Sequence, residues 1–399
     1  MQETQYAGST FLSFDVFPRK PQGAALDLRR RLMFTKDHWR IMNRPMVRLL
    51  QALERQTETW ISWKKLGQIH GMDTNSAQTV SEEIIDWFSS NKADSPLVTG
   101  SKGIRWSRTI LEESGVVKQD FSPEVVRIFG SSLEWGTASL CKRLLERTPA
   151  RLYVVHGAEG TAPDEGLEPG VADVVVVSGD RLAQPSLYKS LNKAGTVLVM
   201  GQSHWEGKEK QLQLHPLSEV AAARTFVDYA VEGSPSFLLF EGQESPLRDL
   251  LSFANGDVGV LRVFASRVNA IPLEAIVDRV VEFTALEGPK ELSETILFRW
   301  SFGLFRVWEK RLLYILAHLE PWVEASWLAA RLPDTFLDVL DPDESLRRFQ
   351  ARGFLVEFDA GLFFMPATVR RAIQTWERAG FLNPLIAELR QRWEHPGCR

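Results

Sequence analysis

Cysteine is nearly absent from this chain. Its 399 residues hold two, Cys141 and Cys398, too few and too far apart for a disulfide framework or a thiolate zinc site, which points to a reducing compartment. Histidine is scarce as well. His38, His70, His156, His204, His215, His318 and His395 show no HxH, HxxxH or HExxH spacing that would set two imidazoles on one face, so no metal is expected. Long apolar runs are missing: nothing approaches the ~20 residues needed to span a bilayer. Met1 to Thr10 carries neither a basic nor an apolar leader segment. The expectation is a soluble, cytoplasmic chain with no membrane partner. A surplus of charge is also lacking. Lys and Arg number 47 against 51 Asp and Glu, a formal charge of -4, so any nucleic-acid contact has to be a local patch. No GxSxG elbow occurs, and Ser178-Gly-Asp180 has no histidine at a recognisable spacing, which leaves a serine hydrolase without support.

What is present is enough apolar sequence for several small cores rather than one. The 13 tryptophans fall mostly in helical stretches, where packing explains them. Residues 1–110 read as a first unit. Phe11 to Phe17 alternates like a strand, and helical spacing runs over Pro45 to Gln56, Trp63 to His70 and Ser76 to Ser89. Two short apolar runs then flank a Ser-Lys-Gly turn at Leu97 to Trp106. Three helices and a hairpin make a winged helix.

From 120 to 245 short strands alternate with helices, the pattern of a parallel sheet covered on both faces. The expected strands are Val125 to Phe129, Arg151 to Val155, Val171 to Val177 and Thr196 to Met200. The expected helices are Ala138 to Arg147, Gln184 to Ala194 and Ser218 to Val231, with Gly157 to Gly170 an exposed acidic loop. Residues 246–305 read as a helical bundle. Residues 306–380 form a second winged helix, with its hairpin at Phe354 to Phe364, and 381–399 form a tail. The fold class expected is multidomain α/β plus α.

The order of these parts resembles the STAND class of signalling NTPases and their NB-ARC modules. Three stretches carry the resemblance: Gln213 to Phe226, like the helix that follows the family's sheet; Gly256 to Ala265, like its GxP helix start; and Phe363 to Ile373, like its MHD segment, with Met365 and Pro366 at the first two MHD positions. The resemblance implies a P-loop, a Walker B acid, a sensor arginine and a bound nucleotide. The residues depart from each. A working P-loop cradles phosphate in glycine amides and sets a lysine and a hydroxyl on the phosphates and magnesium. The matching stretch, Gly130-Ser-Ser-Leu-Glu-Trp-Gly-Thr-Ala-Ser139, has Gly130 and Gly136 one residue too far apart. Thr137 stands in the lysine's place, Ala138 in the hydroxyl's, and Glu134 adds an anion. Losing the lysine alone forfeits charge-assisted hydrogen bonds of roughly 1.5 to 3 kcal/mol each. The Walker B strand reaches an acid, Asp180, only after a Ser-Gly step, Met200 to Ser203 has no arginine, and Val258 and Pro366 replace the GxP proline and the MHD histidine. The expectation is a pseudo-NTPase with no catalytic residues and no cofactor, whose partners are other protein subunits in a signalling or defence complex. The chain's end soon after the second winged helix further implies that it lacks the family's repeat sensor.

The first unit resembles the winged helix of response-regulator type transcription factors. A DNA reader needs Arg, Lys, Asn or Gln on its third helix. Here that helix offers Asn75 and Gln78 but also Glu82, Glu83 and Asp86. Basic residues lie around it: Arg29, Arg30, Arg31, Lys64, Lys65, Lys102, Arg105 and Arg108 form a surface for a nucleic-acid backbone or an acidic partner. Protein docking is the leading expectation and a DNA-binding regulator the alternative.

Overall fold

A computed structural model describes residues 25–28, 31–35, 37–54, 60–70, 73–93, 95, 97–101, 103–106, 124–130, 132–147, 151–156, 173–178, 196–201, 210–268, 270–287, 301–319, 322–359, 361–374 and 382–391. The expected strand at Phe11 to Phe17, the helix at Gln184 to Ala194, the acidic loop at Gly157 to Gly170 and most of the tail lie outside these residues.

The first unit opens with an antiparallel sheet that the sequence reading did not contain, β1 (Ala25–Asp27), β2 (Leu32–Phe34) and β3 (Trp39–Ile41). Helices α1 (Arg44–Glu54), α2 (Trp63–His70) and α3 (Thr74–Ser90) follow, then the hairpin β4 (Leu97–Gly100) and β5 (Gly103–Trp106). Asp73 caps α3 by accepting from the Ser76 amide at 2.8 Å, the side-chain cap expected of an Asp at a helix start. Ile61 bridges to Ile104 and adds a third rung to the hairpin.

Next come β6 (Glu124–Gly130), α4 (Leu133–Arg147), β7 (Leu152–His156), β8 (Val174–Ser178), β9 (Thr196–Met200) and β10 (Lys210–Leu214). They build one parallel sheet in the order β10-β6-β9-β8-β7. Val174 to Val177 and Val197 to Met200 are buried without alternation, as a parallel sheet covered on both faces requires. Four strands were expected and a fifth, β10, is present: Lys210 to Leu214 alternates polar and apolar residues, and its edge place against β6 suits that pattern.

The helical part is α5 (Glu219–Gly233), α6 (Glu244–Ala254), α7 (Val258–Arg267) and α8 (Leu273–Glu287). The last unit runs α9 (Val307–His318), β11 (Trp322–Glu324), α10 (Ala325–Arg331), α11 (Asp334–Leu337), α12 (Pro342–Ala351), β12 (Val356–Asp359), β13 (Leu362–Phe364), α13 (Ala367–Gln374) and α14 (Asn383–Gln391). Its antiparallel sheet has the order β11-β13-β12.

Both small antiparallel sheets join one core to another, and strand alternation is the reason. In β2 and β3, Leu32, Phe34, Trp39 and Ile41 enter the core of the helical part, while Met33 enters the core of α1 to α3. In the C-terminal sheet, Trp322, Val356, Phe358, Leu362 and Phe364 share a core with α4 and the parallel sheet, while Val323 and Phe363 face their own helices. Trp322 meets Phe358 and Phe364 edge-on at 4.6 and 4.7 Å, a favoured aromatic geometry. No helix among the described residues is long and apolar enough to cross a membrane.

Candidate functional site

In a parallel sheet a ligand sits beyond the carboxyl ends of the strands where successive connections run in opposite directions. Here the chain leaves β6 toward β7 at one edge and leaves β9 toward β10 at the other, so the end of β6 and the head of α4 mark that place. Sequence spacing put a loop there up to Thr137, with the helix starting at Ala138. The structure starts the helix at Leu133, so only residues 131–132 separate strand from helix. Gly136, Thr137 and Ala138 lie inside α4: the Gly136 amide donates to Ser132 O at 3.0 Å, and the Thr137 hydroxyl donates to Leu133 O at 2.8 Å. The helix forms early because Ser132 takes a left-handed turn (φ 52) that brings Leu133 directly into the helix.

Gly130 has a different duty from the one spacing assigned it. Its φ is +113, and a Cβ there would lie 2.2 Å from Leu214 O of the neighbouring β10. Its bareness lets two backbones meet.

Two amides at the start of α7, beside the head of α4, are already engaged. The Val258 amide, at the start of α7, donates to Ser132 Oγ at 2.9 Å, and the Val260 amide donates to Asp257 Oδ1 at 2.9 Å. The Ala367 amide, opening α13, faces the Glu134 carboxylate and favours its charge. Burial pushes the Glu134 carboxyl above the ordinary glutamate range; the Glu134 and Ala367 amides oppose the rise, Asp257 adds to it, and Arg371 opposes it. The first turns of α4 and α7 thus hold two carboxylates and one serine hydroxyl.

Beside them the space is filled. Trp135 is buried, its ring centroid 6.0 Å from that of Tyr229. The Arg262 guanidinium carbon lies 4.8 Å from the Trp135 ring centroid and 4.5 Å from that of Tyr229. Arg262 Nε donates to Gln350 O at 2.7 Å, and Nη2 pairs with Glu232 at 3.1 Å. Arg262 therefore ties α7, α5, α4 and α12 together from one buried guanidinium. Sequence reasoning missed Ser132, Trp135, Asp257 and Arg262. A lone arginine inside the apolar run Val258-Gly-Val-Leu-Arg-Val-Phe-Ala was the available signal, since a charge so placed needs buried partners.

Of the other expected site residues, Asp180 lies outside the described residues. Met365 and Pro366 are buried between β13 and α13, with Pro366 O accepting from the Arg370 amide at 2.9 Å as that helix begins. On the first unit Arg29, Arg30, Lys102 and Arg108 are outside the described residues. Asn75, Lys64, Lys65 and Arg105 are exposed and Gln78 is half-buried. Arg31 departs from them: its guanidinium carbon is 6.0 Å from the Phe240 ring centroid, on the helical part. Glu82 and Asp86 are exposed on α3, and Glu83 pairs with Arg40 at 2.7 Å. Among the described residues no group of three or more His, Cys, Asp or Glu could hold a metal ion.

No family model and no curated protein matches the chain. Among solved structures it is similar to a Signal Transduction ATPase with Numerous Domains (STAND) protein with a tetratricopeptide repeat sensor from Pyrococcus horikoshii. The TM-score is 0.43 and the identity 16%, over 67% of this chain and 42% of that one. The chain thus spans about two fifths of that protein's length.

Proposed function

We propose that the chain is a non-catalytic regulatory adaptor of the STAND type, cytoplasmic, acting through protein–protein assembly in a signalling or defence complex. The observation that carries this reading is that α4 begins at Leu133, three positions beyond the end of β6 at Gly130. That leaves no room for the four-residue phosphate loop of a working P-loop, and the neighbouring α7 amides are held by Ser132 and Asp257. Two carboxylates at that point oppose a triphosphate, and Trp135, Tyr229 and Arg262 occupy the adjoining space.

In this reading the units fall at 1–110, 120–245, 246–305 and 306–380, and the first and last are winged helices. The order α1-α2-α3-β4-β5 with the Ile61 bridge supports the first. The order α9-β11-α10-α12-β12-β13 supports the last. A rigid scaffold suits assembly because both small sheets weld their units to the middle of the molecule.

Calorimetry of the full chain with ATP or ADP in magnesium buffer tests the nucleotide half of the reading. No heat of binding is expected. Tight binding that disappears in Ser132→Ala would overturn it. Affinity purification from the source cells tests the other half: a protein subunit in fixed ratio is expected, and the free chain alone would count against an adaptor.

A further inference from the structure

Among the described residues two large aromatic side chains are exposed, Phe240 and Trp60, and Trp60 keeps 40% of its surface in solvent. Its position is fixed from three sides. Ile61 exchanges main-chain hydrogen bonds with Ile104 of β5 at 2.9 and 3.0 Å. Gly100, ending β4, lies against the indole so closely that a Cβ would come 3.2 Å from Trp60 Cη2. The Arg105 guanidinium carbon is 5.3 Å from the ring centroid. The core of this unit closes beneath with Ile61, Leu66, Leu97 and Ile104, without Trp60. An indole held this firmly outside a core is available to something else.

Lys64 and Lys65 follow at once, exposed in the first turn of α2. Cations there oppose the helix dipole, and Ser62 already receives the Lys65 amide at 3.3 Å, so the helix itself has no use for them. No ion pair joins Lys64, Lys65 or Arg105 to a described acid. An arginine stacked at the ring and two exposed lysines four and five positions further along the chain thus accompany a partly exposed indole. The opposite sign prevails on α3, where Asp73, Glu82 and Asp86 are exposed and would meet a duplex backbone.

We propose that the Trp60 face binds single-stranded nucleic acid, one base stacking on the indole while flanking phosphates meet Lys64, Lys65 and Arg105. Every base has a π-face and every nucleotide a phosphate, so this chemistry reads no sequence. The inference stands apart from the nucleotide-free core, and either can fail alone.

The test is fluorescence anisotropy of the full chain with labelled oligo(dT), oligo(U) and a duplex, each of about 12 nucleotides or base pairs, near the site size of a small binding fold. Single strands are expected to bind more tightly than duplex. A preference between the DNA and RNA strands tells which is the natural source. With three phosphates engaged, log K should fall with log salt at a slope of about -2 between roughly 50 and 200 mM. Trp60→Ala should weaken binding about 5- to 150-fold, and Trp60→Phe less, as expected for loss of one stacked base. Lys64→Glu with Lys65→Glu should flatten the salt slope, whereas Arg44→Glu with Arg48→Glu on α1 should leave binding unchanged. Three outcomes would overturn the proposal: no binding of single strands at the lowest salt, duplex preferred over single strands, or salt-dependent binding indifferent to Trp60→Ala, which would indicate an acidic partner held by charge alone. Unchanged thermal unfolding of the variants confirms that each is folded.

Discussion

Arg262 lays its guanidinium over the indole of Trp135, the two facing each other at 4.8 Å where α7 meets the head of α4. The guanidinium is consumed by the protein: Trp135 and Tyr229 take its faces, Gln350 O and Glu232 its hydrogens. Arg262→Met should therefore destabilise the chain by roughly 2–4 kcal/mol, a desolvated cation–π contact plus a charged hydrogen bond. Arg262→Lys should recover little, because an ammonium cannot stack and fork at once. Urea denaturation measures both, and a change under ~0.5 kcal/mol, the scale of an ordinary surface substitution, would show the stack to be incidental.

Gly130 offers a cleaner separation of scaffold from site. Were it a phosphate-loop glycine, alanine there would cost ligand affinity and leave the fold alone. At φ +113, with Leu214 O 2.2 Å from an added Cβ, Gly130→Ala should instead cost about 3 kcal/mol or more through backbone strain and forced separation of β6 from β10. Soluble yield and denaturation midpoint report it. A variant as stable as the parent would refute the close approach of those strands.

Burial gives Glu134 a pH dependence whose sign can be worked out. Its folded carboxyl binds protons more readily than the unfolded one, chiefly because burial penalises the charge. A group raised in this way contributes its full stability below the unfolded value and loses it as pH rises through the folded one. Between the ordinary glutamate range and the raised value, stability should fall with rising pH. Glu134→Gln removes this slope and should leave the chain at least as stable at neutral pH, since a neutral amide escapes the cost of burying a charge. Denaturation midpoints across that window, for parent and variant, decide it; a variant less stable than the parent at neutral pH would mean that the charged carboxylate holds the seam together.

Sequence reached the element types more readily than their junctions. The valine run at Val174 to Val177 and the helical spacing of α1, α2 and α3 were legible, because burial on both faces or along one stripe writes itself into a local period. The α4 start was not: a motif template extended the loop to Thr137, whereas Ser132 turns the chain at once and Leu133 to Gly136 already have helical partners. The strands β2, β3 and β11 were missed for a related reason. At three residues each they show little periodicity of their own, and their meaning lies in which core each alternate residue enters. Trp135 and Arg262 are far apart in the chain, and nothing local pairs them.

Two tryptophans twenty-one positions apart should behave in opposite ways. Trp39 is buried where β3 meets the helical part, donating Nε1–H to Glu219 at 3.1 Å beneath the Arg248 guanidinium, whose Nη2 also reaches Trp39 O at 3.1 Å. Trp39→Ala empties that joint and should cost about 3–5 kcal/mol, the range for aromatic deletions in a core. The loss should be local in its first consequence: with β2 and β3 loosened from α5 and α6, limited proteolysis should cut near that joint and release the first unit before the parent chain is touched. Trp60→Ala, at an indole outside that unit's core, should cost roughly 1 kcal/mol, well below Trp39→Ala, and leave the digestion pattern unaltered. Equal sensitivity of the two variants, or release of the first unit from the parent at the same rate as from Trp39→Ala, would show that the small sheet does not weld the first unit to the helices, and the rigid-scaffold reading would lose its N-terminal half.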